Sequence, residues 1–349
     1  MALVAAKKPA RKVIQFSKRA KQASDANSVL LYGPSRAGKT RECACIVKYV
    51  WDKWGLKTRY ITIDGGSYQP LQPFIQAGMV DVIDLTAAEG NIVPAVRGIS
   101  AGLWLEDEKW VAPEQQQTLK DVGCYIFESI SGYSSAIIQS YIDNNVNASQ
   151  DLVSYSTLIN DDDELAAILG DQKVGKLSMS HYGLLADELT RFVQKFRGLQ
   201  TTINQKMIVF TSHEASSEVE RVGMKVTSLG PSAEGQKFTS QLPRMVGDMF
   251  YLTPTLNKQK VLEYRAAFTP YPDPQLGNRL WPASIRGGAD ITSTLLSMPE
   301  FKDGYLILTD EEDPTLRDGI TKLFRERDKI ESAAAEKITA LMTSTKENS

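Results

Sequence analysis

Eight consecutive residues, Gly33-Pro34-Ser35-Arg36-Ala37-Gly38-Lys39-Thr40, carry the chemistry most easily read from this chain. Two glycines at this spacing let the backbone curl until successive N–H groups face inward, where they can hold phosphate oxygens. Lys39 then places a point charge near the β- and γ-phosphates of a nucleotide, and Thr40 offers a hydroxyl to Mg2+. The pattern G-x-x-x-x-G-K-T is specific. With ordinary residue usage, roughly 0.01 chance matches are expected in a chain this long. The stretch reads as a P-loop with Gly33 to Thr40 as its binding residues.

Such a loop works only between a strand and a helix. The apolar run Val29 to Tyr32 supplies the strand. Ile46, Val47, Val50 and Trp54 mark one side of a helix over 40–54, ended by Gly55. Thr58 to Asp64 reads as a second strand and Val80 to Leu85 as a third. This rhythm argues a parallel sheet with crossover helices. Val122 to Phe127 is nearly continuous in apolar residues and ends in Glu128, as a central strand buried on both faces reads. Helices are expected over 133–143 and from His181 to Leu199. The second feeds a strand, Lys206 to Thr211, that ends in Ser212-His213. Alternation from Val219 to Val226 suggests a hairpin, and two further strands follow at 249–252 and 261–268. A terminal helix over 313–342 has near-heptad apolar spacing, suited to its own core or to another subunit. The fold class is α/β, with a mostly parallel central sheet flanked by helices.

A P-loop needs a second acid to hold the water shell of Mg2+, usually at the end of a strand beside the P-loop strand. Glu128 is the candidate. His213 stands at another strand end, where it could sense the γ-phosphate or the attacking water, or simply pack in a loop.

Composition narrows the classes. Hydrophobic content of 42% and charged content of 23% are ordinary for a globular chain. A net charge of −2 gives no global field toward nucleic acid. The charge is uneven, however. Residues 1–24 hold Lys7, Lys8, Arg11, Lys12, Lys18, Arg19 and Lys21 without an acid. Such an arm can lie on a phosphate backbone or stay solvated, and Val13, Ile14 and Phe16 also suit a strand lent to a neighbouring subunit. Three cysteines point to a reducing, cytoplasmic setting, and without a His/Cys set around them they read as buried thiols. No run reaches the length of a membrane span, and the N-terminus lacks a signal peptide's apolar core. The acid run 161–164 reads as a solvated helix start rather than a metal site. The expected organisation is an arm over 1–27, a core over 28–290 with insertions near 86–118 and 144–178, and a helical extension over 291–349.

Taken in order, GPSRAGKT, YIFES, HYGLLADELTRFVQKF, MIVFTSH, GPSAEGQKFTSQLPRMVGDMFYL and FTPYPDPQLGNRL resemble the bacteriophage RecA-like ATPases grouped with single-strand annealing proteins, over about residues 28–290. The resemblance implies a RecA-like core binding ATP and Mg2+, single-stranded DNA binding, a recombination role, and a homo-oligomeric ring or filament in the host cytoplasm. It implies phage replication or recombination proteins as partners. Lys39 and Thr40 would keep their P-loop roles. Glu128-Ser129 stands where the family has Asp-Ser, and His213 takes the sensor position. Residues 213–241, bearing Arg221, Lys225 and Lys237, stand where such proteins place a mobile DNA-contacting loop. Arg279 matches a basic position that could reach a neighbour's γ-phosphate as an arginine finger. The chain departs from the pattern at Asp64-Gly65-Gly66-Ser67, where recombinases carry a water-activating glutamate. Asp64 could substitute but stands two residues early, which leaves open slow or absent turnover with ATP as an assembly switch. A P-loop ATPase acting on a protein partner, such as a helicase loader, is the alternative. A small-molecule phosphotransferase would need an Arg-rich lid, and the sequence offers none.

Overall fold

The computed structural model describes residues 27–65, 69–86, 92–107, 109–146, 152–154, 173–175, 179–202, 206–221, 224–233, 236–257, 259–270, 272–273, 279–280, 283–286, 288–308 and 317–347. The basic arm and the acid run 161–164 lie outside the described residues. The first half runs β1 (Asn27–Gly33), α1 (Lys39–Trp54), β2 (Lys57–Thr62), α2 (Gln72–Gln76), β3 (Val80–Asp84), α3 (Ile92–Ser100), β4 (Trp104–Glu106), β5 (Lys109–Val111), β6 (Val122–Glu128), α4 (Ile130–Val146), β7 (Leu152–Ser154) and β8 (Lys173–Gly175). The second runs α5 (Met179–Thr202), β9 (Met207–Arg221), β10 (Met224–Pro231), α6 (Gln236–Gln241), β11 (Asp248–Leu256), β12 (Leu262–Ala267), β13 (Pro272–Asp273), β14 (Arg279–Leu280), α7 (Gly288–Leu296), β15 (Tyr305–Leu308) and α8 (Thr321–Glu347).

The main sheet has the order β3-β2-β6-β9-β1-β11-β12-β15. From β3 to β11 every pairing is parallel, and β12 and β15 close the far side by antiparallel pairing. Successive side chains alternate between the two faces. Val29 and Leu31, Cys124 and Ile126, Met207 and Val209, and Phe250 and Leu252 join one core layer with α1, α7 and the start of α8. Leu30 and Tyr32, Tyr125 and Phe127, Ile208 and Phe210, and Met249 and Tyr251 join the other, under α3, α4 and α5. Helices cover both faces, which is why these strands read as unbroken apolar runs. All three cysteines are free and buried, as their setting in the sequence suggested. No helix among the described residues is long and apolar enough to cross a membrane.

Two buried arginines fix the periphery. Arg59, on β2, donates to Gln116 Oε1 at 2.8 Å and to the Tyr125 hydroxyl at 2.9 Å, and its guanidinium lies 4.3 Å from the Trp104 ring centroid. It thereby pins the segment 102–118 to the sheet. Arg327, on α8, donates to both oxygens of Asp248, at 3.0 and 2.8 Å, where neither side chain is exposed.

The terminal helix begins at Thr321 rather than near 313, because Gly319 takes a left-handed φ of 49°. The buried Glu42 carboxylate accepts the Ile320 N–H at 2.7 Å just ahead of the helix. Burial raises the pKa of Glu42 to about 7, against weaker lowering by that hydrogen bond, Arg41 and Arg317. The folded chain therefore holds this proton more tightly than the unfolded chain does. The associated stability is complete below the usual 4.5 and is lost as pH rises through about 7. A shift of that size corresponds to about 3 kcal/mol. We expect the stability difference between Glu42→Gln and the parent to move in favour of the variant by about that amount from pH 5 to pH 8. Urea titration at the two pH values reads it, and a difference independent of pH would exclude the assignment.

Candidate functional site

The parallel sheet brings Gly33, Thr62, Glu128 and His213 to one edge. Gly33 at the end of β1 pairs in register with His213 of β9, and Thr62 of β2 pairs with Glu128 of β6. The sequence reading placed the Glu128 strand directly beside the P-loop strand. Instead β9 lies between them. Alternation explains why the acid still reaches the loop. Glu128 shares its face with Cys124 and Ile126, which pack under α1, and Thr40 is on the first turn of α1. His213 shares that face with Met207 and Val209.

The loop itself is shaped by glycine. A Cβ on Gly33 would fall 2.0 Å from the Leu252 carbonyl oxygen, and Gly38 holds φ 89° at the N-cap of α1. Arg36 also adopts a positive φ, 63°. Lys39 Nζ donates to the Gly33 and Pro34 carbonyls at 3.0 and 2.8 Å. Burial pushes its ammonium pKa down, while Glu128, Asp64 and Glu214 push it back up. Three carboxylates thus act on this one ammonium.

Both Glu128 oxygens are engaged. Thr40 Oγ1 donates to Oε1 at 2.8 Å, and the buried Tyr60 hydroxyl donates to Oε2. Burial raises the Tyr60 phenol well above its usual pKa, with Cys43 and Glu128 adding to it, so it stays a donor. No cluster of three or more His, Cys, Asp or Glu suited to a metal occurs among the described residues. The donor set suits Mg2+ rather than a tightly caged ion, because Mg2+ keeps water and takes phosphate oxygens beside one or two protein ligands.

Two neighbours of this site were under-read in the sequence. Asp64 looked two residues early for a water-activating acid. The fold brings it in nonetheless: Ser129 Oγ donates to Asp64 Oδ2, and His213 Nε2 lies 3.8 Å from the same oxygen. A Cβ on Gly132 would come within 1.9 Å of Asp64 Oδ1, so a larger residue at the start of α4 would force the carboxylate to turn from its place. The Glu128–Ser129 peptide between these groups is cis. The second neighbour is a serine cluster at the root of the β9–β10 hairpin. The His213 N–H donates to Ser131 Oγ at 2.9 Å, and Ser131 and Ser212 both donate to the Ser232 carbonyl, at 2.8 and 2.7 Å. The only sequence signal for these groups was a polar residue closing each apolar run.

Residues 213–241 are not a single loop. β9 and β10 form an antiparallel hairpin in register from Glu214–Pro231 to Arg221–Met224, followed by α6. Strand alternation outweighs the Ser and Gly content here, as the run from Val219 to Val226 foreshadowed. Arg221 and Lys225 fall at the far end of the hairpin and Lys237 in α6; their side chains lie outside the described residues. Arg279 begins the short β14, whose Leu280 pairs with Ser228 of β10. It therefore stands against the hairpin, and its side chain also lies outside the described residues.

No family model and no curated protein matches the chain. Among solved structures, the crystal structure of a KaiC-like protein from the hyperthermophilic archaeon Pyrococcus horikoshii is similar at 10% identity and a TM-score of 0.35, covering 69% of this chain and 77% of that one. A likeness that low fixes neither activity nor partner.

Proposed function

We propose that this chain is an ATPase with a RecA-like core, binding ATP and Mg2+ at Gly33 to Thr40 and passing the state of its γ-phosphate to single-stranded DNA through the β9–β10 hairpin. The observation that carries the nucleotide half is the meeting of Thr40 and Glu128 at 2.8 Å, beside Lys39 and across 88 residues of sequence. Thr40 and Glu128 would hold Mg2+, which neutralises charge on the transferring phosphoryl group. Lys39 adds a second positive charge there. Asp64 accepts the proton of the attacking water, and His213, beside it, holds that water against the γ-phosphate. A carboxylate two residues early in the chain can do this because Gly132 lets it lie over the start of α4.

The DNA half draws on placement and charge. The hairpin is rooted at His213 and Ser212, so movement at the phosphate end displaces the end bearing Arg221 and Lys225. The basic arm and Lys237 would add phosphate contacts, and Arg279 would act on a neighbour's nucleotide in a ring or filament. This is the setting of a phage recombination or annealing protein in the host cytoplasm. One observation favours a protein partner instead: α8 is exposed from Ser332 to Ala340, with Ile338 59% exposed. That half of the helix suits docking to a replication protein.

Phosphate release and mass by light scattering, each with and without single-stranded oligonucleotide, test both readings. We expect turnover raised by the oligonucleotide, and DNA binding that falls steeply with salt. Oligomerisation driven by ATP and indifferent to DNA would favour the protein partner. A chain that takes up no nucleotide would overturn both.

A further inference from the structure

We propose that the β4–β5 hairpin is the docking site of the chain's own basic arm, with residues 11–19 laid across Leu105 and Trp110. The hairpin belongs to an insertion that the nucleotide site does not use. Alternation sorts its side chains. Trp104 faces the core, 3% exposed, and meets the Tyr125 ring edge-on. Leu105 and Trp110 stand directly opposite each other on the other face, 37% and 45% exposed. The pair is held rigidly. Gln116 donates to the Gly102 and Val111 carbonyls, at 2.7 and 2.9 Å, and so ties the two strands at the open end of the hairpin. Arg59 donates to Thr118 Oγ1 at 3.0 Å, and Thr118 donates to Glu106 Oε1 at 2.9 Å. Burying an arginine to seat two short strands costs desolvation. What it secures at the surface is a fixed tryptophan, the residue type that most often anchors an interface.

Charge and reach identify the occupant. Residues 104–121 carry Glu106, Asp107, Glu108, Glu114 and Asp121 against Lys109 and Lys120. That balance repels a phosphate backbone and attracts a cationic segment. In residues 11–19 the pairs Arg11-Lys12 and Lys18-Arg19 flank Val13, Ile14 and Phe16, and residues 1–24 hold no acid. An apolar centre with basic flanks thus meets an apolar pair with acidic flanks. The arm joins the core at Asn27, whose N–H donates to the Lys206 carbonyl at 3.0 Å, and the Lys206 N–H donates to the Gly123 carbonyl at 2.7 Å. It therefore leaves the sheet two strands from β6, at the edge where the insertion enters β6. Two strand spacings are about 10 Å. Residues 20–26, fully extended, span about 24 Å. The P-loop lies at the opposite edge of these strands, so docking leaves it open. If the arm serves DNA phosphates, as proposed above, docking withdraws its cations from them; the contact itself does not depend on that reading.

Limited trypsin digestion of the full chain tests this, with cleavage after Arg11, Lys12, Lys18 and Arg19 followed by mass spectrometry. Docking shields these bonds. Phe16→Ala and Trp110→Ala should each speed their cleavage about tenfold, and the double variant no further, since both remove one contact. Leu105→Asp should repeat the effect if Trp110→Ala does not fold. Raising salt should speed cleavage of the parent by screening the charged flanks, and change the double variant little. Cleavage at the parent rate in Phe16→Ala, Trp110→Ala and Leu105→Asp would overturn the docking site. So would a double variant cut at the product of the two single effects. Protection within one chain is independent of protein concentration; protection lost on about a hundredfold dilution would overturn docking in cis and give the hairpin to the arm of a second copy.

Discussion

Lys39→Ala will fold as the parent does and bind ATP about a thousandfold more weakly. The two halves of that expectation have different sources. Among the described residues, Lys39 bonds to the Gly33 and Pro34 carbonyls of its own loop, at 3.0 and 2.8 Å. Burial already disfavours its charge, so truncation removes a desolvation cost along with two hydrogen bonds. Thermal stability should therefore change by only about 1 kcal/mol. For a phosphate ligand the balance reverses. Without the ammonium, Glu128, Asp64 and Glu214 meet a polyanion with only the backbone N–H groups and Mg2+ to offset them. Truncating one member of a buried, hydrogen-bonded charge pair costs about 2–5 kcal/mol, and repulsion by the carboxylates places this case toward the upper end. Calorimetric titration reads the affinity and a melting curve reads the fold. Equal ATP affinity in the two proteins would remove the phosphate from this loop.

What the sequence made legible follows from what alternation and motif spacing can encode. The loop, the apolar strand ending in Glu128, the strand ending in His213 and the helices between them all come from local pattern. Strand order does not. β1, β6 and residues 207–212 of β9 are each buried on both faces, and nothing in their composition says which is central. That is why Glu128 was expected beside the P-loop strand and stands one strand away. The place of Asp64 could not be read for a related reason. Counting residues from a strand end measures distance along the chain, whereas the site depends on how closely α4 approaches, and that depends on Gly132. Arg59 and Arg327 could not be told from surface charges, because their burial depends on partners 57 and 79 residues distant in the chain.

Asp64→Asn should lower ATP turnover about a thousandfold with ATP affinity unchanged, since positioned proton transfer contributes about 10²–10⁴. Asparagine matches aspartate in size and can still accept from Ser129, so the hydrogen bond that seats the side chain survives. It cannot take a proton from water. The limb of the pH–rate profile that reports a carboxylate base should disappear with it. A purely structural role would leave that limb in place and shift affinity or stability instead. Gly132→Ala offers an independent route to the same result. Its new Cβ would meet Asp64 Oδ1 at 1.9 Å, so the carboxylate must turn away although its chemistry is intact. His213→Gln keeps a donor near Asp64 and should cost only about tenfold, because it positions the water without carrying the proton. If Asp64→Asn turns over like the parent while Glu128→Gln does not, Glu128 is the base. The chain would then hydrolyse ATP with the same carboxylate that Thr40 and Tyr60 hold, and Asp64 would only brace α4.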